Sequence, residues 1–349
     1  MQILEATIHR LKKAAHTSGQ GSVTKQLRAS ELPIDATLIA VCTDLLALYN
    51  RTTDSSGMFG DNANVHVFPV RFGEYRQQSI PLAEFSEATV DLIAAQMEDA
   101  PFSNGGYVLF LRYEEPPNDF MLIAMLKLKP GAGIDEDSLG LLPTLNIDLD
   151  LLNEAARINI TRLEAGEQPY LTFIKGARKS AQVTEYFRDA LACLNYTNSA
   201  EQTKELIRAA DDFVAQRQDL TTEEDRQHER LETRRRLFQC LNENKSEVTL
   251  ATAAAAIYPA APEEFITHSQ SQTDGERAYR FNGRFKPDRK VTQALRRIRG
   301  TMGTVSVAFD VEDVRTGKVV YDPRTDSIII RQPNQQLRRE IQEHVDGTT

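Results

Sequence analysis

Two apolar runs set close together most constrain this chain. Tyr107 to Tyr113 and Phe120 to Leu128 are almost unbroken apolar stretches, and Pro116-Pro117-Asn118-Asp119 lies between them. Ser103-Asn104-Gly105-Gly106 opens the first run with a strong turn signal. Runs of this length with turns at both ends read as β-strands, and the spacing predicts an antiparallel hairpin with a four- or five-residue loop. A strand without polar alternation has no face for water. The hairpin is therefore expected inside a mixed or antiparallel sheet, covered by helices.

The covering elements are legible nearby. Ile34, Leu38, Val41, Cys42, Leu45 and Tyr49 form a helical stripe just after Pro33. A second helix is expected from Leu82 to Met97, ended by Pro101. Both are expected on one face of the sheet. Ile3 to Leu11 reads as a strand. Asn50 to Asn64 and Lys129 to Leu142 read as loops. Further strands are expected at Asn146 to Leu149, Ala156 to Leu163 and Tyr170 to Ile174.

From Ala181 the pattern turns helical, first with Val183, Tyr186, Phe187, Ala190, Leu191 and Leu194 on one stripe. Leu206 to Phe213 and Leu231 to Leu241 predict two more helices, and the alanines 253–256 a short packed one. Near the end, Val291, Ala294, Leu295 and Ile298 stand at i, i+3, i+4 and i+7, which predicts a helix with one apolar side. Strands at Val305 to Asp310, Lys318 to Tyr321 and Ser327 to Arg331, and a helix from Gln335 to Val345, close the chain. The fold class is α+β, with expected regions 1–195, 196–275 and 276–349.

Charged residues make up 26% and hydrophobic residues 41% of the 349 positions, values that suit a globular chain. No stretch approaches the roughly 20 apolar residues of a membrane span, and the start lacks the order of a signal peptide. Cys42, Cys193 and Cys240 are far apart and odd in number, so no disulfide framework is indicated, and an intracellular, cytoplasmic site is expected.

Little catalytic chemistry is legible. There is no phosphate-cradling GxxxxGK[ST] loop and no GxSxG elbow. Asp119 and Lys127 loosely resemble the acid and lysine of a metal-dependent nuclease core. The position where the second acid is needed holds Met125, although Asp135, Asp137, Asp148 or Asp150 are alternative ligands. The six histidines are scattered without ligand spacing. No cofactor and no metal are expected.

The net charge is −9. Nucleic-acid binding depends on the local field, so the distribution of cations matters more than the sum. Arg280, Arg284, Lys286, Arg289, Lys290, Arg296, Arg297 and Arg299 crowd one region in which Asp288 is the sole acid. The predicted helix directs Arg289, Lys290, Arg296 and Arg297 away from its apolar stripe, a surface suited to phosphates. Tyr279, Phe281 and Phe285 interleave and are candidates to stack on bases. Lys175, Arg178 and Lys179 form another patch beside an expected helix start. The run Arg234-Arg235-Arg236 is diluted by Glu229 and Glu232.

The same segments carry a family resemblance. Pro101-Phe102-Ser103-Asn104-Gly105-Gly106-Tyr107-Val108-Leu109-Phe110, with Leu122 to Leu126 on the partner strand, is the clearest block. Asn146-Ile147-Asp148-Leu149 with Ala156 to Ile160 is another, and Tyr170 to Gly176 leading to Val183-Thr184-Glu185-Tyr186-Phe187 a third. The fourth comprises Asp288-Arg289, Val307-Ala308-Phe309-Asp310 and Tyr321 to Ile328. In this order the blocks resemble the bacterial nucleoid-associated family of the NdpA or YejK type. The resemblance implies location at the nucleoid and DNA binding with little sequence specificity. Double-stranded DNA is the leading ligand, with single-stranded nucleic acid as the alternative. It also implies a homodimer and a partner in chromosome topology, and no catalytic residue. The alternatives are an adaptor that reaches DNA through a topoisomerase-like partner, and the metal-dependent nuclease.

Overall fold

The computed structural model describes residues 1–14, 16–152, 154–174, 184–273 and 276–346. They form two compact units: Met1–Gln202 with Arg280–Lys286, and Thr203–Tyr279 with Pro287–Thr349.

The first unit is built on an eight-stranded antiparallel sheet. Its strands are β1 (Gln2–Lys12), β2 (Thr24–Gln26), β3 (Thr53–Phe59), β4 (Gly106–Glu115), β5 (Asn118–Leu126), β8 (Glu154–Asn159), β9 (Leu171–Ile174) and β10 (Cys193–Asn198). Between β5 and β8 lie two further strands, β6 (Leu128–Ile134) and β7 (Leu141–Ile147), which pair only with each other. The order across the sheet is β10-β3-β9-β8-β5-β4-β1-β2. The apolar hairpin lies inside it, and Phe110, Leu111, Leu122 and Ile123 are fully buried. Its turn is tighter than the sequence suggests. Glu115 pairs with Asn118, which leaves only Pro116 and Pro117 in the loop.

Helices cover both faces, which corrects the expectation of one face. In β4, Phe110 and Tyr113 are three residues apart and so point to opposite sides. On Phe110's side lie α2 (Val67–Arg76) and α3 (Leu82–Glu98): Phe85 meets Phe110 edge-on at 6.0 Å, and Phe72 and Tyr75 pack on Phe85. Also on that side, Tyr186 of the short helix Glu185–Ala190 reaches Met125. On Tyr113's side lies α1 (Ala36–Thr52), whose Tyr49 donates a 2.7 Å hydrogen bond to the Thr172 carbonyl. There the Arg157 guanidinium stacks between the Tyr49 and Phe120 rings, 4.9 Å from each. The two faces follow from the hairpin itself, because each apolar face needs cover.

Four segments of the first unit depart from the sequence expectation. Residues 53–59, read as loop, are β3. Its Ser55 and Ser56 are buried, and their hydroxyls are used: Tyr196 donates to Ser55 at 2.9 Å, and Gln202 and Asn282 donate to Ser56 at 3.2 and 2.8 Å. Gly57 is needed because a Cβ there would lie 2.3 Å from the Cys193 sulfur. The expected helical stripe through Leu194 stops at Ala190. Ala192 and Asn195 adopt left-handed φ of 51° and 50°, and the chain becomes the edge strand β10. The expected strand Ala156 to Leu163 ends at Asn159, whose side chain caps a helical turn by accepting from the Arg162 amide. The expected loop Lys129 to Leu142 contains most of the β6–β7 hairpin.

The second unit packs the greater part of the helix Ser199–Gln216 with the helices Glu223–Glu243, Leu250–Ile257 and Pro262–Ser269 around Phe213, Leu237, Leu241, Ala254 and Phe265. Beyond these come a short helix, Arg289–Ala294, and two hairpins, Arg297–Met302 with Val305–Asp310 and Val319–Asp322 with Ser327–Ile330. A final helix spans Gln335–Asp346. Among the described residues from Arg297 onward, Val319 is the only buried side chain.

Candidate nucleic-acid interface

The basic region of residues 280–299 divides between the units. Arg284 and Lys286 belong to the first. Arg284 is half-buried, while Lys286 is exposed and donates to the Thr53 carbonyl at 3.4 Å. Arg289, Lys290, Arg296, Arg297 and Arg299 belong to the second.

Tyr279, Phe281 and Phe285 do not face solvent. All three are buried, and Phe281 packs on Phe285 at 6.3 Å. The Tyr279 hydroxyl lies 3.1 Å from an Asp212 carboxylate oxygen and 2.9 Å from His268 Nε2. Burial, followed by the Asp212 charge, pushes its pKa up to about 12. These rings are core, and base stacking on them is excluded. Their interleaving with cations reflects alternation between the inside and outside of the fold.

The expected basic helix is also shorter. It covers Arg289–Ala294, with Asp288 as N-cap accepting from the Val291 amide at 2.8 Å. Residues 297–302 instead pair as a strand with residues 305–310 around Gly303, whose φ is +61°. Thus Ile298, expected on the buried stripe, is exposed, and Thr292 is the buried residue of the helix. A ladder of backbone hydrogen bonds replaces the last helical turn, so the i+7 position has no helical meaning.

This change separates the cations. Arg296 is tied to Asp310 at 2.6 Å and Glu312 at 3.7 Å, and it lies 5.2 Å over the Phe238 ring. Arg297 and Arg299 lie on the strand, with backbones paired to Asp310 and Ala308. Arg289, Lys290 and Arg297 are exposed and have no ion pair among the described residues. The other arginine run is different. Arg234 and Arg230 both clasp Asp211, Arg235 meets Glu232, and Arg236 bonds Glu229 and the Ala256 and Ile257 carbonyls. Arg234 and Arg236 thus tie the helices together, while Arg235 forms a surface pair. Lys175, Arg178 and Lys179 lie outside the described residues.

A basic cleft in the first unit escaped the sequence reading. Arg10, Lys12, Lys13 and Lys127 line an open cavity of about 560 Å³ with Gly105, Gly106, Tyr107 and Leu128, and no acid lines it. Arg10 and Lys12 are exposed. Lys13 and Lys127 have structural work. Lys13 donates to the Met97 and Ala100 carbonyls at 2.5 and 2.6 Å, closing the C-terminus of α3. Lys127 donates to the Asn104 and Gly105 carbonyls. Desolvation lowers the pKa of both, against the nearby charges of Glu98 and Glu154 respectively. Gly105 must lack a side chain, since a Cβ would meet the Leu11 carbonyl at 2.3 Å. The sequence signal was the run Arg10-Leu11-Lys12-Lys13 at a strand end, opposite the Gly-Gly turn.

The acids of the nuclease reading are not gathered with Lys127, and the described residues hold no group of three or more His, Cys, Asp or Glu placed to share a metal ion. Asp119 sits at the other end of β5 from Lys127 and is paired with Arg112 at 2.9 Å. Asp148 and Asp150 are paired with Lys129 at 3.4 and 3.3 Å.

Comparison with known proteins decides the family. Residues 7–338 match the family described as nucleoid-associated protein YejK. The chain belongs to the YejK family of nucleoid-associated proteins. A nucleoid-associated protein of Azotobacter vinelandii is 27% identical over 99% of this chain and 100% of its own length. One from Shewanella oneidensis is 26% identical over 99% of both chains, and one from Pseudomonas aeruginosa 27% over 98% of this chain and 97% of its own. The YejK family is one of non-catalytic nucleoid proteins, and its match runs through both units, from β1 into the final helix. Among the described residues, no helix is long and apolar enough to cross a membrane.

Proposed function

We propose that the chain binds duplex DNA at the nucleoid through phosphates, with little sequence preference. Arg289, Lys290 and Arg297 are the principal contacts, supported by Arg284, Lys286, Arg296 and Arg299, with Lys175, Arg178 and Lys179 as a further patch. The observation that carries this is the state of the first three. They are exposed and without an ion pair among the described residues, in a chain of net charge −9 whose Arg234 to Arg236 run is matched by Asp211, Glu232 and Glu229. Burial of Tyr279, Phe281 and Phe285 removes the stacking platform that single strands use, which favours the duplex. Contacts limited to phosphates fix position without reading sequence. A two-fold pair of chains would set two such surfaces on one duplex and strengthen a contact that is weak singly.

The test is Arg289→Gln, Lys290→Gln and Arg297→Gln together, with binding to unrelated duplexes measured across a salt series. Arg296 is left intact because its loss would strand Asp310. The expected slope of log K against log salt falls by about 0.9 for each phosphate contact removed, equally for all sequences. A folded variant with unchanged affinity and slope would overturn the assignment. The net charge would then favour an adaptor that reaches DNA through a protein such as a topoisomerase.

A further inference from the structure

The β6–β7 hairpin is a ribbon outside the main sheet, and its two faces are chemically opposite. Pairing of Leu128 with Ile147, Pro130 with Leu145, Ala132 with Pro143 and Ile134 with Leu141 places all eight on one face. The other face holds Lys129, Gly131, Gly133, Leu142, Thr144 and Asn146. Beyond Leu128 and Ile147, which are half-buried at its base, the apolar face is exposed among the described residues. Ile134, Leu141 and Leu145 are 67%, 77% and 69% exposed, and Pro130, Ala132 and Pro143 are exposed as well. An isolated two-stranded ribbon is marginal in water, and a wholly apolar face needs cover.

Charge along the ribbon indicates what provides it. The tip carries Asp135, Glu136 and Asp137, and the base opens onto the cleft of Arg10, Lys12, Lys13 and Lys127. Leu128 belongs both to the cleft wall and to the apolar face, so the two surfaces are continuous. We propose that the ribbons of two copies pack face to face and antiparallel about a two-fold axis near Ala132 and Pro143, each acidic tip seated at the other's basic cleft. The register supports this: Glu136 lies four residues beyond Ala132, and Leu128 four before it. At about 3.4 Å per residue, a seven-residue strand gives a face roughly 24 Å long. That face alone falls short of the ~800 Å² per partner of a standard interface, so the tip-to-cleft contacts must supply the rest. Isologous contact requires a self-complementary surface, and a ribbon acidic at one end and basic at the other meets that requirement when reversed. Nucleic acid is a poor occupant, because the face bears no cation. An added strand is disfavoured by Pro130 and Pro143, which remove a donor from each ribbon strand.

This gives a surface to the pairing in the preceding reading, but it stands without DNA, and the experiment contains none. Sedimentation equilibrium of the full chain at micromolar concentration should show a dimer. Ile134→Ser, Leu141→Ser and Leu145→Ser together, all exposed and so compatible with folding, should weaken association by more than about 100-fold through lost apolar burial. Glu136→Lys with Asp137→Lys should weaken it by about tenfold through like-charge contact. Adding Arg10→Glu and Lys12→Glu to that reversed tip should restore it. Asp135 is kept because its carboxylate accepts from the Ser138 amide and hydroxyl within the turn. A monomeric wild type, or a triple-Ser variant that still dimerises, would overturn the proposal. A reversed tip with unchanged affinity, or one not rescued by the reversed cleft, would overturn the antiparallel arrangement. Loss of DNA binding in the Gln variant with the dimer intact, or the converse, separates the two readings.

Discussion

Two successive hairpins, β4–β5 and β6–β7, are separated by Lys127 alone, yet they meet opposite fates. Both are antiparallel with regular registers of seven or more pairs. In β4–β5 the apolar residues run continuously, so both faces are apolar and both are covered, by α1 on one side and by α2 and α3 on the other. In β6–β7 they alternate with glycine, lysine, threonine and asparagine, Leu142 apart, so one face asks for cover, and beyond its base at Leu128 and Ile147 that face is exposed among the described residues. Pairing in a ladder is common to both. The number of apolar faces decides whether a hairpin becomes sheet interior or a projecting ribbon.

The sharpest way to break this comparison is to truncate one side chain in each hairpin. Phe110→Ala in β4 removes a fully buried ring that packs on Phe85 and His9. It should cost about 3–5 kcal/mol in urea unfolding. Leu145→Ala in β7, measured where the chain is monomeric, should change stability by less than about 0.5 kcal/mol. Similar losses at both sites would mean that the ribbon is packed within the monomer.

A smaller effect comes from the one histidine buried against β4. His9 Nδ1 accepts from the Arg28 amide at 3.1 Å, so Nε2 carries the proton and donates to Ser86 Oγ at 2.9 Å. Burial holds its pKa below the ordinary value of 6.5. The unfolded chain therefore takes up a proton at a pH where the folded chain does not. Stability is retained above pH 6.5 and lost as pH falls below it toward the folded pKa. His9→Gln should flatten that part of the stability profile, and an unchanged profile would assign the acid loss elsewhere. The smallest effect belongs to the ribbon's polar face. Lys129, half-exposed, bridges the buried Asp148 and the exposed Asp150, and Lys129→Gln should lower the urea midpoint only slightly.

The contrast also explains what was legible. The β4–β5 pair, α1 and α3 were readable because their apolar patterns match one period and end at Gly or Pro. β3 was not, because its buried positions are serines whose hydroxyls are satisfied by residues as distant as Asn282. β6–β7 was hidden by Pro130, Gly131, Gly133 and Pro143, which suppress strand propensity while leaving alternation intact. At the candidate interface, the crowding of cations was visible but their state was not. Val291 to Ile298 fits a helical period over eight residues, and strand pairing with Val305–Asp310 overrides it after Ala294. Whether an arginine is free or paired depends on acids such as Asp310 and Asp211, whose proximity is tertiary. The cleft of Arg10, Lys12, Lys13 and Lys127 depends on β1 lying beside β4, which no local pattern reports.

The hydrogen bond from Asn282 to Ser56 has a bearing on how the chain is made. The first unit takes its last piece, Arg280–Lys286, from beyond 77 residues of the second. A chain emerging from the ribosome presents β3 with its buried Ser56 long before Asn282 has been synthesised. At about 5–20 residues per second, that interval lasts on the order of ten seconds or more. During it the sheet must persist with an unfinished seat beside β3, and the final insertion closes a loop of more than two hundred residues, 226 between the bonded pair. Loop-closure entropy grows only slowly with such lengths, so the cost falls on timing rather than on final stability. Ending the chain anywhere between Thr203 and Lys286 would leave the N-terminal unit incomplete, although more than two hundred of its residues precede the cut.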